Sequence, residues 1–329
     1  MWFGEDFPLF AEIAARSAYR HNPRARVILL HEGLKDPVGL RARLPWLDIQ
    51  PLSVPSLCEQ ASERARQMGH AALNQKRLMF IWNRLSKPAA RANLVRLLAL
   101  YAAGGVYLDT DTLTCRSFTP LLHHSAFCGL ERILWSRERM QSSRSYVWLQ
   151  GPALSLLRLA LARVPQGYRV QRKLDGFYTL AVNNAVLGAR PGHPRLHQAL
   201  QEACRIPERE LTRPYRLGTH LLQSVLGTPS EDVEDVVLLP PEYFYPLGPV
   251  MSHHYFRTSH NAQKVAAELL SPETTVVHWY ASVSNLLELD AGYITANRSR
   301  TPFAHLCAPY LDPSSEERGT GSSEAARQG

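Results

Sequence analysis

The 329-residue sequence lacks the features that mark several protein classes. No run approaches the ~18 apolar residues of a membrane-spanning helix. The start, MWFGEDFPLF, has no basic stretch followed by a long apolar run, so it predicts no signal peptide. We therefore expect a cytoplasmic protein, with the Golgi lumen as its location only if an N-terminal anchor is missing from this sequence.

The cysteines are few and form no CxxC pair. The five are Cys58, Cys115, Cys128, Cys204 and Cys307. An odd, widely spaced set predicts neither a zinc site nor a disulfide framework. Reduced and mostly buried thiols are the interpretation that this pattern favours.

Charge is unbalanced but not concentrated in one run. There are 37 Lys and Arg residues against 29 Asp and Glu, a formal net charge of +8. No zinc-finger or RNA-binding motif accompanies the basic residues, so we do not expect a nucleic-acid partner. The basic balance leaves open a phosphorylated small molecule or a peripheral contact with an anionic membrane surface. Only the polar tail, 313–329, is expected to be disordered.

Hydrophobic periodicity predicts one α/β domain over residues 1–312. Helices are expected over 8–21, 56–70, 88–103, 151–164, 194–204, 218–226 and 259–270. Asp36-Pro37 is expected to be an N-cap followed by proline at the first position of a further helix. Strands or extended segments are expected over 26–30, 46–54, 106–108, 125–130, 183–188, 236–246 and 274–280. Alternating elements without an internal repeat or a flexible linker predict a mixed sheet flanked by helices, with helical insertions.

The most informative segment is Gly104-Gly105-Val106-Tyr107-Leu108-Asp109-Thr110-Asp111. Two glycines can end the preceding helix, for which Ser86 and Pro88 suit the entry. Residues 106–108 then have the composition of a short buried strand. Strand alternation places residues i and i+2 on one side, so both carboxylates are expected to meet one ligand. Paired carboxylates at a strand end suit a divalent metal that carries a pyrophosphate.

The run RANLVRLLALYAAGGVYLDTDTL resembles the glycosyltransferases that contain a sugar-binding DXD region. This group includes Och1-like mannosyltransferases, α-1,4-galactosyltransferases, bacterial capsule and lipopolysaccharide enzymes, and the glucosylating clostridial toxins. The family pattern is a helix with Asp and Arg three apart, followed by GGxYxDxD. The matching residues here are Arg96, Gly104, Gly105, Tyr107, Asp109 and Asp111.

Weaker matches extend the resemblance to about residues 1–285. They are Trp2-Phe3-Gly4, Asn183-Asn184-Ala185 with Gly192-His193-Pro194, Tyr243 to Pro246, and His278-Trp279. The chain departs from the family where Asn93 replaces the usual aspartate. It departs again at Ser282-Val283, where a tryptophan often follows the serine.

The resemblance implies a GT-A-like nucleotide-binding fold and a retaining transfer from a UDP- or GDP-sugar to a glycan, glycolipid or protein acceptor. Its implied site residues are grouped by role. The metal ligands for Mn²⁺ or Mg²⁺ are Asp109, Asp111 and His278, and the catalytic residues are Asp109, Asp111 and Arg96. The donor-binding residues are Trp2, Asn93, Arg96, Tyr107, Asp109, Asn183 and Asn184.

Two other interpretations remain open from the sequence. A carbohydrate-binding or scaffold protein could keep the fold without turnover, and Asn93 is the residue that favours this. A haloacid-dehalogenase-like phosphohydrolase would use VYLDTDTL as its DxDxT motif, with Asp109 as nucleophile. That family needs a later acidic pair, for which Glu231-Asp232 and Glu234-Asp235 are the available residues.

Overall fold

The computed structural model describes residues 1–134, 145–227, 236–281 and 289–311, with the side chains of 145–150 left out. The acidic pairs at 231–235, the closing Ser282-Val283 and the tail at 313–329 lie outside the described residues. Within the described part, no helix combines the length and apolarity needed to cross a bilayer.

The N-terminal part is a parallel sheet with helical connections. Its elements are β1 (Trp2–Phe3), α1 (Leu9–His21), β2 (Val27–Glu32), α2 (Pro37–Arg43) and β3 (Leu47–Pro51). β2 lies between β1 and β3 and pairs with both in parallel. Asp36 caps α2 by accepting the Gly39 N–H at 2.7 Å, and Pro37 occupies the first helical position, as the sequence predicts.

A group of helices follows: α3 (Val54–Gln67), α4 (Gln75–Arg84) and α5 (Pro88–Ala103). The sequence analysis missed α4, which Asn74 caps by accepting the Arg77 N–H. The bounds of α5 match the prediction, but Lys87 is its N-cap, without a side-chain bond, so the expected role of Ser86 is wrong. Buried residues such as Leu94, Leu97 and Leu98 place α5 at the centre of the largest apolar core.

The next elements are β4 (Gly105–Leu108), β5 (Thr112–Thr114), β6 (Ala126–Ile133), α6 (Ser145–Arg163), α7 (Gly167–Lys173) and β7 (Thr179–Ala189). They are followed by α8 (Pro194–Arg205), α9 (Glu208–Leu211), α10 (Thr219–Leu226), β8 (Val237–Leu239), α11 (Pro241–Phe244), α12 (His253–Phe256) and α13 (Ala262–Leu269). The last strand and α-helices of the described residues are β9 (Val276–His278), α14 (Ala291–Asn297) and α15 (Pro302–Cys307).

The central sheet is mixed and has the strand order β4-β7-β6-β8. β7 pairs antiparallel with both β4 and β6, whereas β8 runs parallel to β6. A separate antiparallel pair joins β5 to β9. The mixed α/β architecture flanked by helices is therefore confirmed, although the strands of the described residues divide into three sheets rather than one.

Two strand predictions are wrong in extent. The segment 236–246 is extended only to Leu239 and then forms α11, because Pro241 can open a helix. The segment 274–280 ends as a strand at His278, and Tyr280 turns the chain with a φ of 56°. All five cysteines are unpaired thiols, as expected. Burial raises the pKa of Cys115 and Cys128 to about 12.

Candidate active site

The candidate site begins where α5 passes into β4. Gly104 ends the helix with a φ of 70°, and a Cβ at this position would lie 2.6 Å from Cδ of Pro191. Only glycine fits both the backbone angle and this close approach. β4 then runs beside β7, and the Asp109 N–H donates to the carbonyl of Ala185 at 2.9 Å. The end of β4 is therefore fixed against the central sheet.

Asp109 and Asp111 lie in the turn between β4 and β5, not in a strand. Thr112 stabilises this turn by donating its hydroxyl to the Asp109 carbonyl at 2.7 Å. The two carboxylates do lie close together, but the expectation that strand alternation brings them there is wrong. The turn, and not the pleat of β4, positions them next to each other.

Asp109 is held by one side chain from β4 and one from α5. The Tyr107 hydroxyl donates to Asp109 Oδ1 at 2.6 Å, and Arg96 Nη2 donates to the same oxygen at 3.2 Å. The Arg96 guanidinium also lies 4.2 Å from the centre of the Tyr107 ring. Both contacts reach Oδ1, so Oδ2 is the oxygen of Asp109 that has no bond recorded among the described residues.

Arg96 is only 3% exposed and points into the protein. Besides Asp109, it donates to the carbonyl of Asn184 on β7 and to that of Ala92 one turn earlier on α5. A buried guanidinium needs an acidic partner, and Asp109 supplies it. Arg96 therefore connects α5, β4 and β7 at the base of the candidate site.

Asp111 forms a pair with His278 at the end of β9. His278 Nε2 lies 3.0 Å from Asp111 Oδ1, and the Ala281 N–H donates to Asp111 Oδ2 at 3.0 Å. Burial tends to raise the pKa of Asp111, but His278 and the Ala281 N–H outweigh it and lower that pKa. Burial tends to lower the pKa of His278, and Asp111 outweighs it and raises that pKa.

Asp109, Asp111 and His278 form one cluster of potential metal ligands. One ligand atom from each residue lies within 4.8 Å of the other two. Carboxylate oxygens and imidazole form a donor set that suits Mn²⁺. Nδ1 of His278 is buried and has no hydrogen-bond partner among the described residues, and Oδ2 of Asp109 is available. The residues present therefore fit a divalent cation.

The two consecutive asparagines of β7 point to opposite faces, as strand alternation requires. Asn184 Nδ2 donates to Asn93 Oδ1 on α5 at 2.8 Å. A Cβ on Gly218 would lie 2.7 Å from Asn93 Nδ2 and 2.9 Å from Asn184 Nδ2, so the backbone before α10 closes over this amide pair. The structure thus brings Asn93 and Asn184 together.

Asn183 belongs to a second polar cluster that the sequence analysis missed. Its Nδ2 donates to Glu131 Oε2 at 2.6 Å, and Glu131 Oε1 accepts the Tyr280 hydroxyl at 2.9 Å. Glu131 interrupts the apolar pattern of β6, and this is the sequence signal that could have identified it. The other member, Tyr280, follows His278 and Trp279 directly.

Trp2 lies on β1 and pairs in register with His31 of β2. Its ring makes edge contacts with Phe7 at 5.7 Å and Phe10 at 6.1 Å between centroids. The indole Nε1 is buried without a hydrogen-bond partner among the described residues. The recorded contacts of Trp2 are therefore those of an apolar cluster with one free donor.

Comparison with known families addresses the same segment. Residues 12–128 match the family described as glycosyltransferase sugar-binding region containing DXD motif. The matched range includes Asn93, Arg96, Tyr107, Asp109 and Asp111. This part of the chain, less than half of its length, is therefore similar to a glycosyltransferase sugar-binding region. The resemblance found in the sequence is confirmed over this range.

One curated relative is the glucan organizing enzyme 1 of Cryptococcus neoformans var. grubii serotype A, 29% identical over 129 residues. The match covers 39% of this chain and 29% of the fungal protein. The chain thus matches less than a third of that relative's length.

Among solved structures, the PaToxG glycosyltransferase gives a TM-score of 0.39 at 13% identity, covering 68% of this chain and 66% of the other. The UDP-bound glycosyltransferase domain from the YGT toxin gives 0.33 at 13% identity, covering 91% and 77%. TM-scores this low do not define a shared fold.

Proposed function

We propose that residues 1–312 form a GT-A-like domain that transfers a sugar from a UDP- or GDP-sugar to a hydroxyl of a glycan, glycolipid or protein. The observation that carries this proposal is the convergence of Asp109, Asp111 and His278. The two aspartates belong to the matched sugar-binding region, and His278 reaches them from β9. Potential ligands from two distant parts of the sequence thus meet, the paired aspartates of the DXD motif and His278.

In this proposal Asp109, Asp111 and His278 hold Mn²⁺ or Mg²⁺. A divalent ion there supplies Lewis-acid stabilisation of the nucleoside diphosphate leaving group. Arg96 and Tyr107 orient Asp109 by binding its Oδ1, which leaves Oδ2 for the metal ion. Buried hydrogen-bond partners of this kind fix the direction of a ligating carboxylate.

The donor sugar is assigned to the amide pair of Asn93 and Asn184. Their amides offer both donors and acceptors to sugar hydroxyl groups. Trp2 is assigned to the nucleotide base, since an aromatic face can stack on it and its Nε1 has no hydrogen-bond partner among the described residues. Asn183 is also assigned to binding of the nucleotide-sugar donor, and its hydrogen bond to Glu131 fixes its side chain.

The family resemblance implies that the transferred sugar keeps its anomeric configuration. In a front-face substitution the bond from the anomeric carbon to the phosphate oxygen breaks as the bond to the acceptor oxygen forms. The acceptor hydroxyl passes its proton to the departing phosphate. This sequence requires no covalent intermediate on the protein.

The test is release of nucleotide from a panel of UDP- and GDP-sugars, with Mn²⁺, with Mg²⁺ and with EDTA. We expect one donor to be turned over, EDTA to stop the reaction and added Mn²⁺ to restore it. Asp111→Asn should remove turnover, whereas Glu59→Gln, an exposed residue of α3, should not change it.

Three results distinguish the alternatives. Full activity in EDTA would remove the metal from the proposal. Donor binding without turnover in any condition would support the carbohydrate-binding or scaffold protein. Hydrolysis of a colorimetric phosphate ester that Asp109→Asn abolishes would support the phosphohydrolase.

A further inference from the structure

Helix α6 has an apolar surface on the side that faces away from the protein. Leu154, Leu161 and Ala162 are buried, which accounts for its inner side. On the outer side, Leu156 is 69% exposed, Leu157 40%, Leu159 43% and Val164, just beyond the helix end, 51%. We call these four residues the outer face of α6.

The outer face is continuous over residues 153–164. At 3.6 residues per turn, positions 156, 157, 159 and 164 fall on one broad arc, together with the exposed Ala153, Ala160 and Arg163. A helix at the surface of a globular domain normally carries polar residues on this side. Arg163 is the one charged residue on the arc. Exposed apolar surfaces of this kind are typical of contacts with a membrane or another protein.

Neighbouring elements extend the apolar exposure. Val170 on α7, Phe177 in the turn before β7, and Leu180 at the start of β7 are each 47% exposed. They follow α6 within a short stretch of chain, and α7 packs against α6. The exposure is therefore not confined to one helix.

The charge of this segment indicates what covers it. Residues 145–180 contain one acidic residue, Asp175, which pairs with Arg132 at 3.1 Å, and five basic residues: Arg158, Arg163, Arg169, Arg172 and Lys173. Glu268, from α13, pairs with Arg169 at 2.6 Å. The exposed Arg163 and Lys173 make no ion pair recorded in the described part of the chain. Exposed apolar residues beside basic ones characterise surfaces that enter the headgroup region of an anionic bilayer.

A second copy of the chain fits this surface less well. A twofold interface places the same patch against itself. Arg163, on the arc, would then approach its own copy, and the one acidic residue in 145–180, Asp175, is already paired with Arg132. An anionic lipid surface supplies the missing negative charge.

We propose that the outer face of α6, with Val170, Phe177 and Leu180 from the elements that follow it, docks onto a membrane that contains anionic lipid. Leu180 and Asn184 are four residues apart on β7, which is about 13 Å at the rise of a strand. A membrane that contacts Leu180 therefore contacts the strand that carries Asn184 of the amide pair, and any use of it for an acceptor rests on the proposed function.

The membrane contact can be tested without any transferase assay. The purified protein is sedimented with vesicles of phosphatidylcholine alone and with vesicles that also contain phosphatidylglycerol. We expect binding to the mixed vesicles that falls as salt increases. The double variant Leu156→Gln/Leu159→Gln should weaken it by about tenfold or more, because it removes apolar surface from the lipid contact. The matched control is Val38→Gln, since Val38 is 77% exposed on α2.

Charge variants test the second half of the argument. Arg163→Glu and Lys173→Glu should each weaken binding to the mixed vesicles several-fold, and Arg24→Glu, another exposed position, should not. Circular dichroism and melting temperatures confirm that each variant is folded. All substituted side chains are exposed, so a loss of binding by a folded variant reports the surface.

Two results would overturn the proposal. One is no binding to the mixed vesicles, or binding that the leucine variant leaves unchanged. The other is a dimer in light scattering that Leu156→Gln/Leu159→Gln converts to monomer, in a protein that ignores vesicles. Vesicle binding without nucleotide release would keep this proposal and reject the proposed function, so the two can fail separately.

Discussion

Tyr280 donates its hydroxyl to Glu131 at 2.9 Å while its own backbone has a φ of 56°. Bulky residues rarely adopt this region, and holding one there costs on the order of 1–3 kcal/mol. The turn it makes brings the N–H of Ala281 onto Asp111 at 3.0 Å. Glu131 also accepts from Asn183 on β7. Glu131 thus links the end of β9, beside the potential metal ligands, to the central sheet.

The first prediction concerns this link. Tyr280→Phe and Glu131→Gln should each lower Mn²⁺ affinity by about tenfold. Neither residue binds the metal, but their hydrogen bond holds the segment that carries His278 and the Ala281 N–H, and loss of such supporting bonds weakens metal binding. Isothermal titration with Mn²⁺ measures the effect without any substrate. The matched control is Tyr215→Phe, since Tyr215 also has a positive φ, 63°, but is 69% exposed. Unchanged Mn²⁺ affinity in both site variants would show that Glu131 and Tyr280 only support packing.

The second prediction distinguishes the role of Asp109 in transfer from its role in stability. Asp109→Asn and Asp109→Ala should both abolish transfer, but Asp109→Ala should also lower the free energy of unfolding, by up to about 3 kcal/mol. The alanine variant leaves the buried Arg96 without its acidic partner and the Tyr107 hydroxyl without its acceptor, whereas asparagine keeps one oxygen for both. Denaturant unfolding of the two variants measures this difference. Equal stability would contradict the role of Asp109 as the partner of Arg96.

Local sequence patterns were sufficient for much of the fold. The Asp36 cap of α2, the start of α5 at Pro88 and the end of α5 at Gly104 depend on neighbouring residues, and all three were predicted correctly. The division of the strands into three sheets was not predictable, because pairing between β5 and β9 joins segments more than 160 residues apart in sequence. A single sequence contains no local signal for such a contact.

The candidate site shows the same limit. Asp109 and Asp111 were identifiable because the motif is contiguous, although a turn rather than a strand brings them together. Glu131 and Gly218 were not identified, since their importance depends on which distant side chains they meet. In the sequence, Glu131 is one charged residue directly after the strand predicted over 125–130.

The third prediction concerns the amide pair. Asn93→Asp should preserve the hydrogen bond from Asn184, because a carboxylate accepts it equally well. The substitution also introduces a negative charge and removes the two N–H groups that Asn93 could donate to the sugar. We therefore expect the ratio of kcat/KM between two sugar donors to change while the melting temperature changes little. Unchanged donor ratios would show that Asn93 does not face the sugar.

The fourth prediction uses the backbone that closes over this pair. Gly218→Ala places a Cβ within 3 Å of both amide nitrogens, so Asn93 and Asn184 must move. The KM for the donor should rise with little change in stability, because the ends of the two side chains can shift. Gly176→Ala is the matched control, since a Cβ there meets nothing within 4 Å. A normal donor KM in Gly218→Ala would place the sugar elsewhere.

The last prediction concerns pH and two histidines remote from the carboxylates. The rings of His70 and His197 lie 4.8 Å apart, His70 Nδ1 lies 2.9 Å from the Tyr101 hydroxyl, and His197 Nε2 lies 2.8 Å from the Ala71 carbonyl. Burial lowers the pKa of both histidines below the ordinary 6.5, and His70 lowers that of His197 further. The unfolded chain therefore binds more protons than the folded one just below pH 6.5, so stability falls as the pH decreases through that range.

His197→Gln keeps a donor for the Ala71 carbonyl but removes the titrating ring that faces His70. The decrease in melting temperature between pH 7 and pH 5 should be smaller in this variant than in the unmodified chain. His260→Gln, at an exposed position, should leave the pH dependence unchanged. Melting temperatures measured by differential scanning fluorimetry across this range provide the comparison. A pH dependence identical in His197→Gln and the unmodified chain would mean that the histidine pair makes no contribution to acid sensitivity, because removing a group with a shifted pKa must change the slope.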